Sequence, residues 1–212
     1  MNIYRVLLGM TLAAGPALGI DCAQPDGPAE QTVCTHPDLK AKDDAITRQT
    51  AALKTTLKGG NAAILADTEM PFLRLRNDCS NESDIPACLS KVLGARQDLL
   101  KRAAAQPDAV REALAQVRYV DVSFLWKYWP QLVGRKLSVF GCLILDDAAP
   151  RTTAVLEADN QKSVAVRFKS MPEEMADFLD DQKPCAHWLV EVRKGSEAPL
   201  LYAEEVLGRP LP

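Results

Sequence analysis

Two histidines and six cysteines carry the most reactive side chains in this 212-residue sequence. A His–Cys pair makes a nucleophile only where a thiol is free. His36 lies two positions after Cys34 and just before Pro37, while His187 stands beside Trp188. No CxxC pair occurs, and neither histidine joins a close set of cysteines. Zinc and thioredoxin-like dithiol chemistry therefore both lack the spacing they need. G-x-S-x-G, H-E-x-x-H and P-loop patterns are missing as well. Glu173-Glu174 and Asp180-Asp181 are paired acids, but such pairs usually mark a solvated helix face or complement a helix dipole. The chemistry-bearing residues thus point away from an enzyme, with no catalytic residue, cofactor or metal expected.

The cysteines do have a use in an oxidising compartment. The N-terminus, MNIYRVLLGMTLAAGPALGI, has a basic Arg5, an apolar run over Val6–Ala14 too short for a bilayer, and small residues at Ala17 and Gly19. That is the pattern of a secretory signal over residues 1–19, with cleavage expected after Gly19, a periplasmic or secreted destination and no membrane span. Export lets Cys22, Cys34, Cys79, Cys88, Cys142 and Cys185 form three disulfides. Sequence alone leaves the pairing of the first four open. Short loops favour Cys22 with Cys34 and Cys79 with Cys88, and a swapped set stays available. Loss of Arg5 with the leader leaves a net charge near −4. No basic stripe appears, which argues against nucleic acid as a partner.

The elements that must position these residues fall into two halves. From Asp38 to Lys58, Leu39, Ile46, Leu53 and Leu57 recur at helical spacing, and Gly59-Gly60 ends the run. A second helical run covers Asn61 to Asp78, with a kink or restart forced by Pro71. Asp84 caps a third helix with Pro86 in its first turn, and Pro107 restarts a short fourth segment. The apolar faces are alanine-rich, so a thin core backed by cross-links is expected for residues 20–118. Residues 119–212 are strand-rich: RKLSVFGCLILDD, TTAVLEAD, SVAVRFK, HWLVEVRK and PLLYAEEVLG, with the helical EEMADFLDDQ after the third. Three strands, a helix and two strands fit an OB-type barrel. Its first and fourth strands run antiparallel, which predicts a Cys142–Cys185 bond. The fold class is therefore multidomain α + β, a small disulfide-linked helical bundle followed by a five-stranded OB-like barrel.

Asp21-Cys22-Ala23, Glu30 through Cys34, Pro37, Leu39 and Asp43 form one block of a recognisable pattern. Glu69, Phe72, Leu73, Arg76 and Cys79 form a second, and Cys88-Leu89, Arg96 and Leu100 a third. Together, over about residues 21–101, they resemble the N-terminal domain family of LprI-type lysozyme inhibitors, small exported helical domains with four cysteines. Thr50, Lys42, Leu93 and Pro71 depart from that pattern. The resemblance implies a protein-binding module that inhibits host-type lysozyme. It also implies structural roles for Glu30, Leu39, Asp43, Phe72, Leu73, Arg76, Leu89 and Arg96. The second half looks like an OB-fold domain through LVGRKLSVFGCLI, a likeness of fold alone.

Partner contacts are expected from acids in the turn-rich PDGPAE and SNESDIP segments: Asp26, Glu30, Glu82 and Asp84. The aromatic FLWKYWPQL segment supplies Trp126, Tyr128 and Trp129, which either plug one end of the barrel or anchor a partner. The competing function is a non-enzymatic envelope adaptor whose OB-like domain holds a peptide or glycan.

Overall fold

The computed structural model describes residues 19–145, 153–157, 163–169, 185–196 and 198–203. Residues 1–18 of the expected signal sequence and the helix expected over 173–182 lie outside them. The helical half comprises α1 (Gly27–Thr35), α2 (Pro37–Thr56), α3 (Gly59–Asp67), α4 (Glu69–Asp78) and α5 (Ile85–Ala105). Short 3-10 turns at Cys79–Asn81 and Pro107–Glu112 and a brief α6 (Ala113–Gln116) complete it.

The PDGPAE stretch, expected as turn, starts a helix instead. Gly27 takes φ 81°, Pro28 occupies the first turn, and the Glu30 carboxylate accepts the Asp26 N–H at 2.9 Å. A proline in the first turn loses no intrahelical bond, because its N–H would have had no partner there. The same reason explains Pro71. The chain breaks at Thr68, three residues earlier, so that the proline falls inside the first turn of α4. Asp84 caps α5, its carboxylate accepting the Ala87 N–H at 2.9 Å.

The buried residues of α2 are Leu39, Asp43, Ile46, Thr50 and Leu53, and those of α5 include Leu89, Leu93, Arg96, Leu100 and Ala103. Steps alternating between three and four residues let two long helices interlock along one seam. Leu39, Leu65, Leu89, Leu93, Leu99 and Leu100 are all fully buried. This corrects the expected thin, alanine-rich core: the alanines fall largely on exposed faces and leucines fill the seam.

Three polar side chains, Asp43, Thr50 and Arg96, interrupt it. Asp43 faces Arg76 of α4, Oδ1 to Nη1 at 3.6 Å, and Arg76 Nη2 reaches Glu30 of α1 at 2.6 Å. Burial pushes the Asp43 carboxyl above its ordinary 3.8, opposed by the Ile20 N–H and by Arg76 and Lys40. Arg96 lies 5.1 Å from the Phe72 ring centroid and donates to Thr68 Oγ1 at 3.4 Å. Burial draws its pKa down to about 10, against the Glu69 charge, so it stays protonated at neutral pH.

The second half closes into a barrel. Strands β2 (Lys136–Leu145), β3 (Thr153–Glu157), β4 (Ser163–Phe168), β5 (Cys185–Lys194) and β6 (Pro199–Ala203) follow the order β2-β3-β4-β6-β5, and β5 pairs back onto β2. β4 and β6 run parallel and the other barrel pairs antiparallel, which is the OB-type arrangement. β2 pairs with β5 over Lys136–Cys142 and with β3 over Cys142–Leu145, and Gly141 stands at the changeover. A Cβ there would stand 2.7 Å from the Glu157 carbonyl oxygen and 2.8 Å from Leu156 Cγ. A sixth strand, β1 (Tyr119–Asp121), lies parallel to β2 with Val120 opposite Val139. It is additional to the five strands expected. Helix α7 (Val122–Leu132) follows, its N-terminus capped by Asp121 through the Phe124 N–H at 2.6 Å.

The disulfides are Cys22–Cys34, Cys79–Cys88 and Cys142–Cys185, and Cys142 stands directly opposite Cys185 in the β2–β5 register. One continuous cluster of buried residues runs from Leu39 through Leu125 to Leu201, so the two halves share a core. Replacing Arg76 with Met should leave Glu30 and Asp43 without their buried counter-charge and lower unfolding free energy by about 3–5 kcal/mol. Urea denaturation of oxidised protein checks this; a loss below about 1 kcal/mol would mean the cluster does not hold α1, α2 and α4 together.

Candidate functional site

The Ala29 N–H donates to Ser80 Oγ at 3.1 Å, tying the start of α1 to the 3-10 turn at Cys79–Asn81. Each partner lies within a disulfide-closed loop, so two separately cross-linked segments meet at one edge of the bundle. Between residues 19 and 36 the charged side chains are Asp21, Asp26 and Glu30; between 77 and 90 they are Asp78, Glu82 and Asp84. Lys and Arg are absent from both stretches. The edge is therefore acidic although the domain as a whole is nearly neutral.

Its acids are not equivalent. Glu30 is engaged by Arg76, Asp84 caps α5, and Asp78 accepts the Tyr119 hydroxyl at 2.6 Å. Asp26 and Glu82 are exposed, and the Asp26 side chain makes no capping bond to α1. Of the four acids expected to contact a partner, these two face solvent without an internal task. Glu30 belongs to a helix and an ion pair. His36, at the junction of α1 and α2, turns Nδ1 to the Thr32 carbonyl at 2.8 Å, which is a local helix-end contact.

A second feature is a cleft of about 680 Å³ where the two halves meet. Met70 and Arg74 of α4, Tyr119 of β1, and Phe124, Trp126 and Lys127 of α7 line it. The α7 side chains divide their work as a helix demands. Val122, Leu125 and Leu132 are fully buried, and the helix packs on β1, β2, β5 and β6. Trp126 Nε1 donates to the Ser163 carbonyl at 3.0 Å, and Trp129 is half-buried against the core. Tyr128 and Lys127 both donate to Asp67 Oδ2, at 2.6 and 2.5 Å. The aromatic segment thus covers one end of the barrel and fastens it to the bundle.

Electrostatics keep these ties in their donating form. Burial, then the hydrogen bond and charge of Asp67, push the Tyr128 hydroxyl up to about 12, and burial with Asp78 does the same to Tyr119. Burial would raise Asp67 itself, but hydrogen bonds from Lys127 and Tyr128 prevail and hold it below its ordinary 3.8. Among the described residues no three His, Cys, Asp or Glu side chains gather to hold a metal. No helix among them is long and apolar enough to cross a membrane.

At the mouth of this region Arg74 Nη1 donates to His187 Nε2 at 3.1 Å. The His187 ring sits 5.8 Å from Tyr119 and 5.2 Å from Phe140, centroid to centroid. Phe140 is 41% exposed, Leu189 61% and Met70 58%, large apolar side chains on the water side of β2, β5 and α4. Sequence reasoning singled out none of these three, nor Asp67, Asp78, Arg74 or Tyr119. Phe140 and Leu189 sit in alternating strands where either face could be the inner one, and only register decides which. Asp67 and Asp78 end helices, where nothing in the sequence says what they face.

No family model, no curated protein and no solved structure matches this chain.

Burial, then the Arg74 charge, lower the His187 imidazole below its ordinary 6.5. Unfolded chains then take up the proton before folded ones, so stability should fall as pH drops below 6.5 toward the folded value. Thermal unfolding followed across that interval should show the slope in the natural sequence and a flatter one in His187→Gln. Equal slopes would remove His187 as the titrating group.

Proposed function

We propose that this chain is an exported, periplasmic or secreted, non-catalytic protein-binding module that inhibits a host-type lysozyme through the acidic edge of its helical half. The observation that carries the reading is the Ala29–Ser80 bond, which ties the two cross-linked loops to each other, with Asp26 exposed on one and Glu82 exposed on the other. Lysozymes of this type are basic, and a rigid acidic edge steers toward a basic cleft while giving up little conformational freedom on docking. The likeness of Glu30, Arg76, Arg96 and the four cysteines to the LprI-type pattern supports the same reading. Glu30, Arg76 and Arg96 are engaged inside the bundle, and on this reading partner contact falls to the exposed loop acids.

A second reading has its own observation. Met70 is exposed in the lining of the cleft, and Phe140 and Leu189 are exposed on β2 and β5, apolar surface of the kind an adaptor that captures an apolar peptide would require. The outward positions of β3 and β4 favour a glycan less: Thr153, Val155, Glu157, Ser163, Ala165 and Arg167 offer no ring for a sugar to stack on.

Oxidised mature protein titrated into lysozyme turnover should inhibit stoichiometrically. The double reversal Asp26→Lys, Glu82→Lys should weaken inhibition about tenfold or more while leaving the melting temperature nearly unchanged. Full turnover at a large excess of protein, with no complex on gel filtration, would end the inhibitor reading and leave the adaptor.

A further inference from the structure

Ile20 is an isolated buried residue. Asp21 to Gln24 after it are exposed, yet Ile20 is only 7% exposed and its backbone N donates to Asp43 Oδ2 at 3.0 Å. That bond places the residue inside the charge cluster described above. Glu30 comes from α1, Asp43 from α2 and Arg76 from α4. Lys40 and Asp44, also on α2, are turned to each other as a partly exposed pair and contribute no net charge. The set therefore holds two carboxylates, Asp43 buried and Glu30 partly buried, against one buried guanidinium, a surplus of one negative charge where shielding from water makes it costly.

We propose that cleavage of the Gly19–Ile20 bond supplies the missing positive charge, seating the new α-ammonium of Ile20 on Asp43. Hydrolysis by a leader peptidase breaks the bond between the Gly19 carbonyl carbon and the Ile20 nitrogen. Water provides the oxygen of the new Gly19 carboxylate and the protons that turn the Ile20 nitrogen into an ammonium. The ammonium needs no new position, since that nitrogen already lies within hydrogen-bonding distance of Asp43 Oδ2. The bond must be cut before Ile20 docks, because the seated residue is buried. Cleavage elsewhere would leave an uncharged amide at Asp43 and the cluster one charge short. Leader removal then does more than release the chain: it finishes the buried site that joins three helices. The inference rests on export and is independent of any partner.

Two oxidised chains of otherwise natural sequence test it, one beginning at Ile20 and one at Gly19. The α-amine of the Ile20 chain should acylate about tenfold more slowly at neutral pH, the effect of one unit of raised pKa. Asp43→Asn in the Ile20 chain should restore the rate of the longer chain. Should that variant fail to fold, the two natural-sequence chains still differ, the Ile20 chain melting roughly 3 °C higher. Sequencing of the naturally exported protein should read Ile20 first. A natural start at another residue, or equal acylation rates and melting temperatures in the two chains, would overturn the proposal.

Discussion

A guanidinium held between two carboxylates from different helices fixes the helical half. Arg76 of α4 reaches Glu30 of α1 and faces Asp43 of α2, and Asp43 also accepts the Ile20 N–H. Apolar seams can slide by a turn at modest cost, because one leucine replaces another. A buried charge cannot, since any other register strands it without a counter-charge. Apolar packing therefore supplies most of the stabilisation, while the cluster selects which arrangement of α1, α2 and α4 is adopted. The position of the acidic edge follows. α1 is held against α4 by Glu30 and Arg76, and the loop after α4 is held against α1 by Ser80 and Ala29.

Polar ties also decide how the bundle meets the barrel. Asp67 and Asp78, at the ends of α3 and α4, accept the hydroxyls of Tyr128 and Tyr119. Each tyrosine places its ring against apolar neighbours and its hydroxyl on a carboxylate, a division of labour that suits a junction with one wet and one dry side. With Trp126 bonded to β4, α7 is held from both directions. The cleft beside it is consequently framed by three fixed elements, and its apolar lining of Met70, Phe124 and Trp126 is drawn from both halves at once.

Much of this was legible in the residues, for identifiable reasons. The α2 and α5 helices, the five barrel strands and the Cys142–Cys185 bond follow from periodicity, proline and glycine placement, and topology, whereas loop length only favours Cys22–Cys34 and Cys79–Cys88 over a swapped set. The α1 helix was not, because Asp-Gly-Pro reads as a turn until Pro28 is seen to fall in a first turn. The core was misjudged because counting alanines says nothing about which face they occupy, and the leucines recur at the interlocking spacing. β1 is three residues long and pairs with residues nineteen positions later, a contact no local pattern encodes. Within the candidate site, Asp26 and Glu82 were identified by type and loop context. The distinction between them and Glu30 or Asp84 required knowing which acids have partners inside the molecule.

That distinction bears on how such an edge can work. Six acids lie in the two cross-linked stretches, but Arg76 neutralises Glu30, a helix N-terminus engages Asp84, and a tyrosine hydroxyl engages Asp78. Asp21 closes a local turn through the Ala23 N–H. Only a small part of the formal charge is left to face a partner, and exposed charges are screened within about 8 Å at physiological ionic strength. Long-range attraction from this edge is therefore modest, and shape has to supply the rest. Two loops closed by disulfides and tied to each other present that shape with little freedom left to lose, and so cross-links and a few unengaged acids together can do what net charge alone would not.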